Sequence, residues 1–398
     1  MPVSPNITSR NLPRGFLPLK DPLIRLPNAF DDWEVVALDL SKLALSRYIR
    51  PVVEALPTFP VAALDSERAY ERAMTVLSFM ANLYVFAPDH PVATRLPRSL
   101  AMGWHAVATH LGRPPMLAYA GQVMYNWRRL DPDGPLAVGN LTMIQNFLGG
   151  MDEEWFVTVH INIEAEAGRG LRALAPAQEA VVRDDPETLL FCFQEIAASL
   201  QTMHDILVRM PERCEPKTYY HRVRPYMFGW KDNPDLPDGM VYEGVDAYGG
   251  RPVEFRGETG AQSSVIYAFD AILGIEHEHD SMRAYLNEMR DYMPVQDRSF
   301  IEAIEQGASV RDCIQKQCHP ALREAYNACV HALHQFRKLH IEYAALYIIK
   351  PAEGAKKGAV GTGGTPFTVN FFLRLIGFLV SRHPFYGTFF TAKKMQVA

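Results

Sequence analysis

Apolar residues in this chain recur mainly at three- and four-residue steps, the spacing of one face of a helix. Ser66 and Glu67 open a run in which Ala69, Ala73, Val76, Leu77, Met80, Leu83 and Tyr84 keep that spacing, which predicts a helix capped by the serine. Asp185-Pro186 predicts a second start, aspartate as N-cap and proline in the first turn, with the pattern continuing to about Met210 before Pro211. Pro320 opens a long helix expected to run to Lys350 and stop at Pro351, and Thr365-Pro366 caps a last one reaching about Arg382. Pro- and Gly-rich joints separate these runs at 88–97, 132–135, 211–217, 233–250 and 353–364. No turn signal sits between two cleanly alternating strands, so the expected fold class is all-α. Gly149-Gly150, after Phe147, marks the expected end of a small N-terminal helical domain, 1–149, before a large helical domain, 150–398. One stretch, WFVTVHINIEAEAG, stays open. Val157, Val159, Ile161 and Ile163 alternate as in a strand, whereas a helix would stack Phe156, His160 and Glu164 at four-residue spacing.

At 398 residues the chain is long enough for a large core and for two domains, or one with a cap. Its 48% hydrophobic and 21% charged residues are ordinary for a soluble globular protein. A net charge of -5 with no basic stripe argues against a nucleic-acid partner. The five cysteines include Cys313 and Cys318, whose separation suits neither a CxxC redox site nor a zinc knuckle; reduced core thiols of a cytosolic protein are expected. The N-terminus, MPVSPNITSRNLPRGF, has no signal-type apolar run. The longest apolar stretch, 371–380, contains Arg374 and is about half the ~20 residues a span requires. No membrane partner is expected, and the location is expected to be cytoplasmic.

Chemistry concentrates in the helix after Pro320. On a 100° wheel Leu333, Phe336, Arg337, His340, Tyr343, Ala344 and Tyr347 share one face, so His340 sits within an apolar and aromatic stripe with Arg337 one turn away. A haem-binding helix needs an imidazole for iron, apolar flanks for the porphyrin and a guanidinium for a propionate. A satisfied core histidine would show the same pattern. His331 and His334 lie off the stripe and read as surface residues. The loop Gly361–Thr365 runs into a helix start, where free N–H groups favour an anion, or it is a hinge with a Thr-Pro cap. Its spacing is neither a Walker nor a dinucleotide motif. In Tyr219–Lys231 arginines alternate with aromatics, which could clamp a carboxylate beside a flat ring or pack a domain joint.

Seven ordered blocks resemble the indoleamine 2,3-dioxygenase family: LPRSLA (96–101), PPMLAYAGQVMYNW (114–127), YYHRVRPY with GWK (219–231), DGMVYEGV (238–245), GAQSSVIYAFDAILGI (260–275), YNACVHALHQFRKLHIEY (326–343) and GTGGT (361–365). The resemblance implies a helical haem-binding catalytic domain whose distal side is covered by the smaller one. It implies haem b, ferrous when active, with O2 as co-substrate. The reaction would insert both oxygen atoms across the indole C2–C3 bond of L-tryptophan or a related indoleamine, giving N-formylkynurenine. An external reductant would keep the iron ferrous. His340 falls on the iron ligand, Arg337 on the residue that pairs with a propionate and with Asp270, and Tyr119 on the distal tyrosine. Arg224 falls on the substrate-carboxylate arginine, Gly260 or Ala261 on the small residue over the haem edge, Thr362 on the loop threonine that meets the substrate's ammonium or carboxylate, and Phe156 on the aromatic beside the indole. Two departures stand out. Tyr219-Tyr220 replaces a phenylalanine pair of the animal enzymes and makes the pocket more polar. His160 stands where those enzymes carry serine. It could accept the indole N–H, take a proton in a different oxidation, or simply bond to backbone. Action on another indole in secondary metabolism, and a non-catalytic haem or O2 sensor, are the alternatives left open.

Overall fold

The computed structural model describes residues 11–276, 281–316, 319–352 and 361–364. The helix expected from Thr365-Pro366 lies outside them. Seven helices position the site: α1 (Glu67–Val85), α2 (Arg98–His110), α3 (Met151–Leu171), α4 (Pro186–Val208), α5 (Ser264–Leu273), α6 (Val295–Gln306) and α7 (Pro320–Ala344). The two expected caps are formed. Ser66 accepts from the Ala69 N–H, and Asp185 accepts from the Thr188 N–H at 3.0 Å ahead of Pro186.

α1 is buried on nearly every side, as a central helix should be. Its buried polar side chains find partners on neighbouring elements. Ser78 accepts from the Trp104 indole of α2 at 3.1 Å, and the Asn82 amide donates to Tyr226 O at 2.8 Å. That second bond holds the 3-10 turn Arg224–Met227 against the N-terminal helices.

The ambiguous stretch is helical. At 21 residues α3 is far longer than a strand, and it begins after Gly149 and Gly150, both at positive φ (69° and 104°). Glu153 in its first turn accepts from the N–H groups of Phe147, Leu148 and Gly149. Alternating β-branched residues yield here to these end signals and to burial on both flanks. α3 and α7 both pack along α4, and α5 packs on α6. Cys329 of α7 donates to Phe193 O of α4 at 3.1 Å.

One expectation is corrected. The helix after Pro320 does not stop at Pro351: α7 continues through a π turn, Ala345–Ile349, into Lys350–Ala352. Proline's ring crowds the carbonyl four residues back, and a widened turn relieves that contact. The all-α class holds, and strands among the described residues are confined to short segments. A short antiparallel ribbon pairs Trp127–Arg129 with Leu141–Met143, and Arg95–Leu96 pairs in parallel with Val241–Tyr242. Both unite segments far enough apart that no tight-turn signal announces them.

α3 approaches its neighbours through glycine. A Cβ on Gly168 would lie 2.5 Å from Gly15 N and 2.8 Å from Leu12 O, whereas one on Gly121 would meet nothing within 4 Å. Gly168→Ala is expected to destabilise the fold by about 1–3 kcal/mol, and Gly121→Ala by no more than about 0.5 kcal/mol. Urea unfolding midpoints check this; equal midpoints for the two variants would refute the close approach.

Candidate haem and indole site

His340 projects from α7 into open space and is exposed to it. That space is enclosed enough for burial to hold its pKa down to about 4, with smaller pushes from His160 and Arg337. The imidazole is thus neutral near pH 7 and keeps a lone pair. Gly260 lies opposite: a Cβ there would sit 3.7 Å from His340 Nε2. One turn back on α7, Arg337 donates to Asp270 Oδ2 of α5 at 2.5 Å. Among the described residues no three His, Cys, Asp or Glu converge as a bare ion would need. A single neutral imidazole facing a glycine, with an arginine at the edge, fits an iron that arrives with a porphyrin. His331 is exposed as expected, while His334 is half-buried.

The other side of this space is built by α3 and two π turns. Phe156 and His160 stack along α3 with ring centroids 4.6 Å apart, and Tyr219 lies against Phe156 at 4.7 Å. Tyr119 meets His160 edge-on at 6.2 Å. His160 Nδ1 donates to Phe156 O at 2.7 Å, so in the neutral ring Nε2 is the acceptor. Burial lowers its pKa and favours that neutral form. Tyr119 immediately precedes the π turn Ala120–Met124; Tyr219 opens another, Tyr219–Val223, directly before Arg224. Arg224 is only 2% exposed, and its guanidinium lies 5.3 Å from the Tyr220 ring centre and 4.9 Å from that of Phe228. The Tyr219 hydroxyl reaches Met227 Sδ at 3.9 Å, a weak partner for a buried phenol.

The segment Gly361–Gly364 docks onto the strand-like stretch around residue 258. Thr362 Oγ1 donates to Glu258 O at 2.5 Å, the Gly229 N–H to Thr362 O at 3.1 Å, and Arg256 to Gly363 O at 2.8 Å. Thr362 is thereby placed beside the turn that carries Arg224.

Several pocket groups escape a reading of the sequence. Gln262 accepts from the Tyr119 N–H at 2.9 Å and donates to Gly257 O at 2.9 Å, which fixes Tyr119 to the segment that carries Gly260. Glu164, one turn beyond His160, accepts from Ser263 Oγ at 2.7 Å and faces the Tyr119 hydroxyl. Its four-residue spacing was the available signal. Glu258 is buried with no such signal at all.

The family model for indoleamine 2,3-dioxygenase matches residues 9–368. Indoleamine 2,3-dioxygenase 2 of Homo sapiens is 37% identical over 365 residues, covering 88% of each chain. Indoleamine 2,3-dioxygenase 1 of Rattus norvegicus is 35% identical over 361 residues, 87% of this chain and 88% of its own. A 6-hydroxytryptophan 2,3-dioxygenase of Fusarium equiseti is 32% identical over 377 residues, 89% and 92%.

Burial raises the Glu164 pKa from 4.5 to about 7, against the lowering effect of its bonds to Ser263 and Tyr119. A carboxyl whose folded pKa is raised costs nothing below the unfolded value. Its penalty grows as pH climbs through 4.5 and is complete above about 7. Glu164→Gln removes that penalty, so its stability relative to the parent is expected to rise across this window by up to roughly 3 kcal/mol. Urea unfolding at pH 5 and pH 8 checks it; a difference that does not change with pH would show that Glu164 ionises freely in the folded protein.

Proposed function

The chain belongs to the indoleamine 2,3-dioxygenase family, and on that premise we propose that it opens the indole C2–C3 bond of L-tryptophan with O2, giving N-formylkynurenine. As a family member it is a haem-dependent dioxygenase, an oxidoreductase. Haem b, when bound with ferrous iron, supplies the activation of O2; an external reductant and a cytoplasmic location belong to the same reading, and no helix among the described residues is long and apolar enough to cross a membrane.

The observation that carries this reading is the juxtaposition of His340 and Gly260, with the His160–Phe156–Tyr219 wall across the same space. His340 would hold the iron through its neutral imidazole, and Arg337, held by Asp270, would pair with a propionate. Gly260 lets a flat ring approach closely. Phe156 and Tyr219 form the slot for an indole, which aromatic faces bind by offset stacking. Arg224, desolvated and sandwiched between two rings, takes the substrate carboxylate, because an ion pair in a dry pocket is far stronger than in water. His160 Nε2, the accepting nitrogen of the tautomer fixed by Phe156 O, takes the hydrogen bond of the indole N–H. Thr362, close to the Arg224 turn, closes the polar end. Residues 1–149 act as the cap over this distal side. Together these groups orient the indole and exclude water.

A second reading is favoured by Tyr219. Its hydroxyl, poorly partnered by Met227, would welcome a polar substituent on the indole, and the Fusarium equiseti relative is named for a hydroxylated tryptophan. Comparing L-tryptophan, tryptamine and ring-hydroxylated tryptophans as substrates separates the two, and any turnover excludes a non-catalytic sensor.

The purified protein is expected to show a haem Soret band and, with reductant and air, to convert L-tryptophan to N-formylkynurenine. His340→Ala is expected to lose the band. A normal Soret in that variant, or no turnover by the parent protein, would overturn the reading. For His160→Ser we expect discrimination against 1-methyl-tryptophan to fall about tenfold, the value of one buried hydrogen bond; unaltered selectivity would remove His160 from the indole nitrogen.

A further inference from the structure

Glu258 is 4% exposed and its carboxyl makes no hydrogen bond or ion pair among the described residues. Both its backbone groups are committed, the N–H to Met227 O at 3.1 Å and the carbonyl to Thr362 Oγ1. It therefore stands where three segments meet: the Arg224 turn, the Gly361–Gly364 loop, and the stretch leading two residues on to Gly260 opposite His340. Its charge is felt by the hydroxyls of both Tyr119 and Tyr219, and Tyr219 feels Arg224 from another direction with the opposite sign. Two buried groups of opposite potential charge thus flank one pocket tyrosine. Arg224 and Glu258 do not neutralise each other, for the pKa of Glu258 is raised to about 8 by burial with no cation offsetting it.

An unpartnered buried carboxyl is destabilising and persists where a ligand supplies what the fold withholds. The group that would complete it is a cation with hydrogens to donate, beside the Tyr219 hydroxyl that feels both Glu258 and Arg224. An α-amino acid carries such a cation and a carboxylate for Arg224 on one carbon.

We propose that Glu258 binds the substrate's α-ammonium while Arg224 binds its α-carboxylate, so that the site selects a zwitterionic indole amino acid over indoles lacking either charge. The assignment rests on the reading of this pocket as an indole-binding site and adds to it the group that recognises the amine. Thr362, through its bond to the Glu258 carbonyl, is a positioning residue for that carboxylate.

Equilibrium binding to the haem-loaded protein, followed by perturbation of the Soret band, tests it with L-tryptophan, indole-3-propionate (no ammonium) and tryptamine (no carboxylate). Glu258→Gln is expected to weaken L-tryptophan and tryptamine at least about tenfold while leaving indole-3-propionate unchanged or tighter. Arg224→Gln is expected to weaken L-tryptophan and indole-3-propionate while sparing tryptamine. Glu258→Asp, which keeps the charge on a shorter stem, is expected to retain part of the preference for the ammonium. Equal weakening of all three ligands by Glu258→Gln, or no weakening, would overturn the proposal. Turnover measured alongside keeps the two claims apart. Normal oxidation of L-tryptophan without ligand-selective loss sinks Glu258 alone. Selective loss of the amines in a protein that turns over no tryptophan sinks the substrate assignment and leaves Glu258 standing.

Discussion

A neutral imidazole that is deep in the protein yet turned toward open space is the constraint around which the fold is arranged. An ordinary core would close over His340, bonding its nitrogen to backbone or filling the space with an apolar side chain. Here the residue opposite is glycine, and its nearest charged neighbour on α7, Arg337, is drawn aside by Asp270. The packing this forgoes is made up elsewhere. α3 and α7 both pack along α4, and α3 approaches the segment around Gly15 as closely as a glycine permits. Rigid supports of this kind let one face of α7 stay open without collapse.

The pocket walls are aimed by departures from regular helix. π turns follow Tyr119, open at Tyr219 and follow α7 at Ala345–Ile349, where they include Tyr347. A π turn adds a residue to the winding and so rotates what comes after it relative to the preceding face. In a regular helix Arg224 and Tyr219, five residues apart, would point about 140° from each other. The wider turn brings them closer to alignment, and Asn82 pins the following turn from α1. Tyr347 lies edge-on to Tyr219 at 5.7 Å, so the winding change after α7 also serves the same aromatic wall.

That geometry divides what the sequence made legible from what it did not. Helix starts at Ser66 and Asp185 could be read because capping is local chemistry. His340 and Arg337 could be placed on one face because α7 is regular up to Ala344. Beyond it the regular period fails, and so did the expected stop at Pro351. The stretch around His160 was undecidable because Val and Ile at alternate positions suit either conformation; the deciding signals were the glycine pair before it and the carboxylate of Glu153. Residues 353–360, and the helix expected after Thr365, lie outside the described structure. Glu258 was invisible for a different reason. Nothing in a local pattern marks a glutamate as buried, since its environment is set by contacts with residues near 119, 227 and 362. Ordered blocks resembling a known family located the loop and the arginine turn, but such a resemblance passes over the positions peculiar to one chain.

The ionisable groups of the distal side form a system rather than a list. Burial pushes Glu164 to about 7 and Glu258 to about 8, and it lowers the pKa of His160. All three are thereby moved toward their neutral forms near pH 7, while Arg224, though its pKa is lowered by burial, starts high enough to keep its guanidinium charged. In the proposed binding mode Arg224 would take the substrate carboxylate. With that carboxylate seated, an adjoining ammonium would enter beside Glu258, and its charge would favour loss of the Glu258 proton. The two recognition events would thus depend on each other: a carboxylate alone would leave Glu258 protonated, and an amine alone would meet the charge of Arg224. Selectivity for a zwitterion would then follow from the order in which the charges are satisfied.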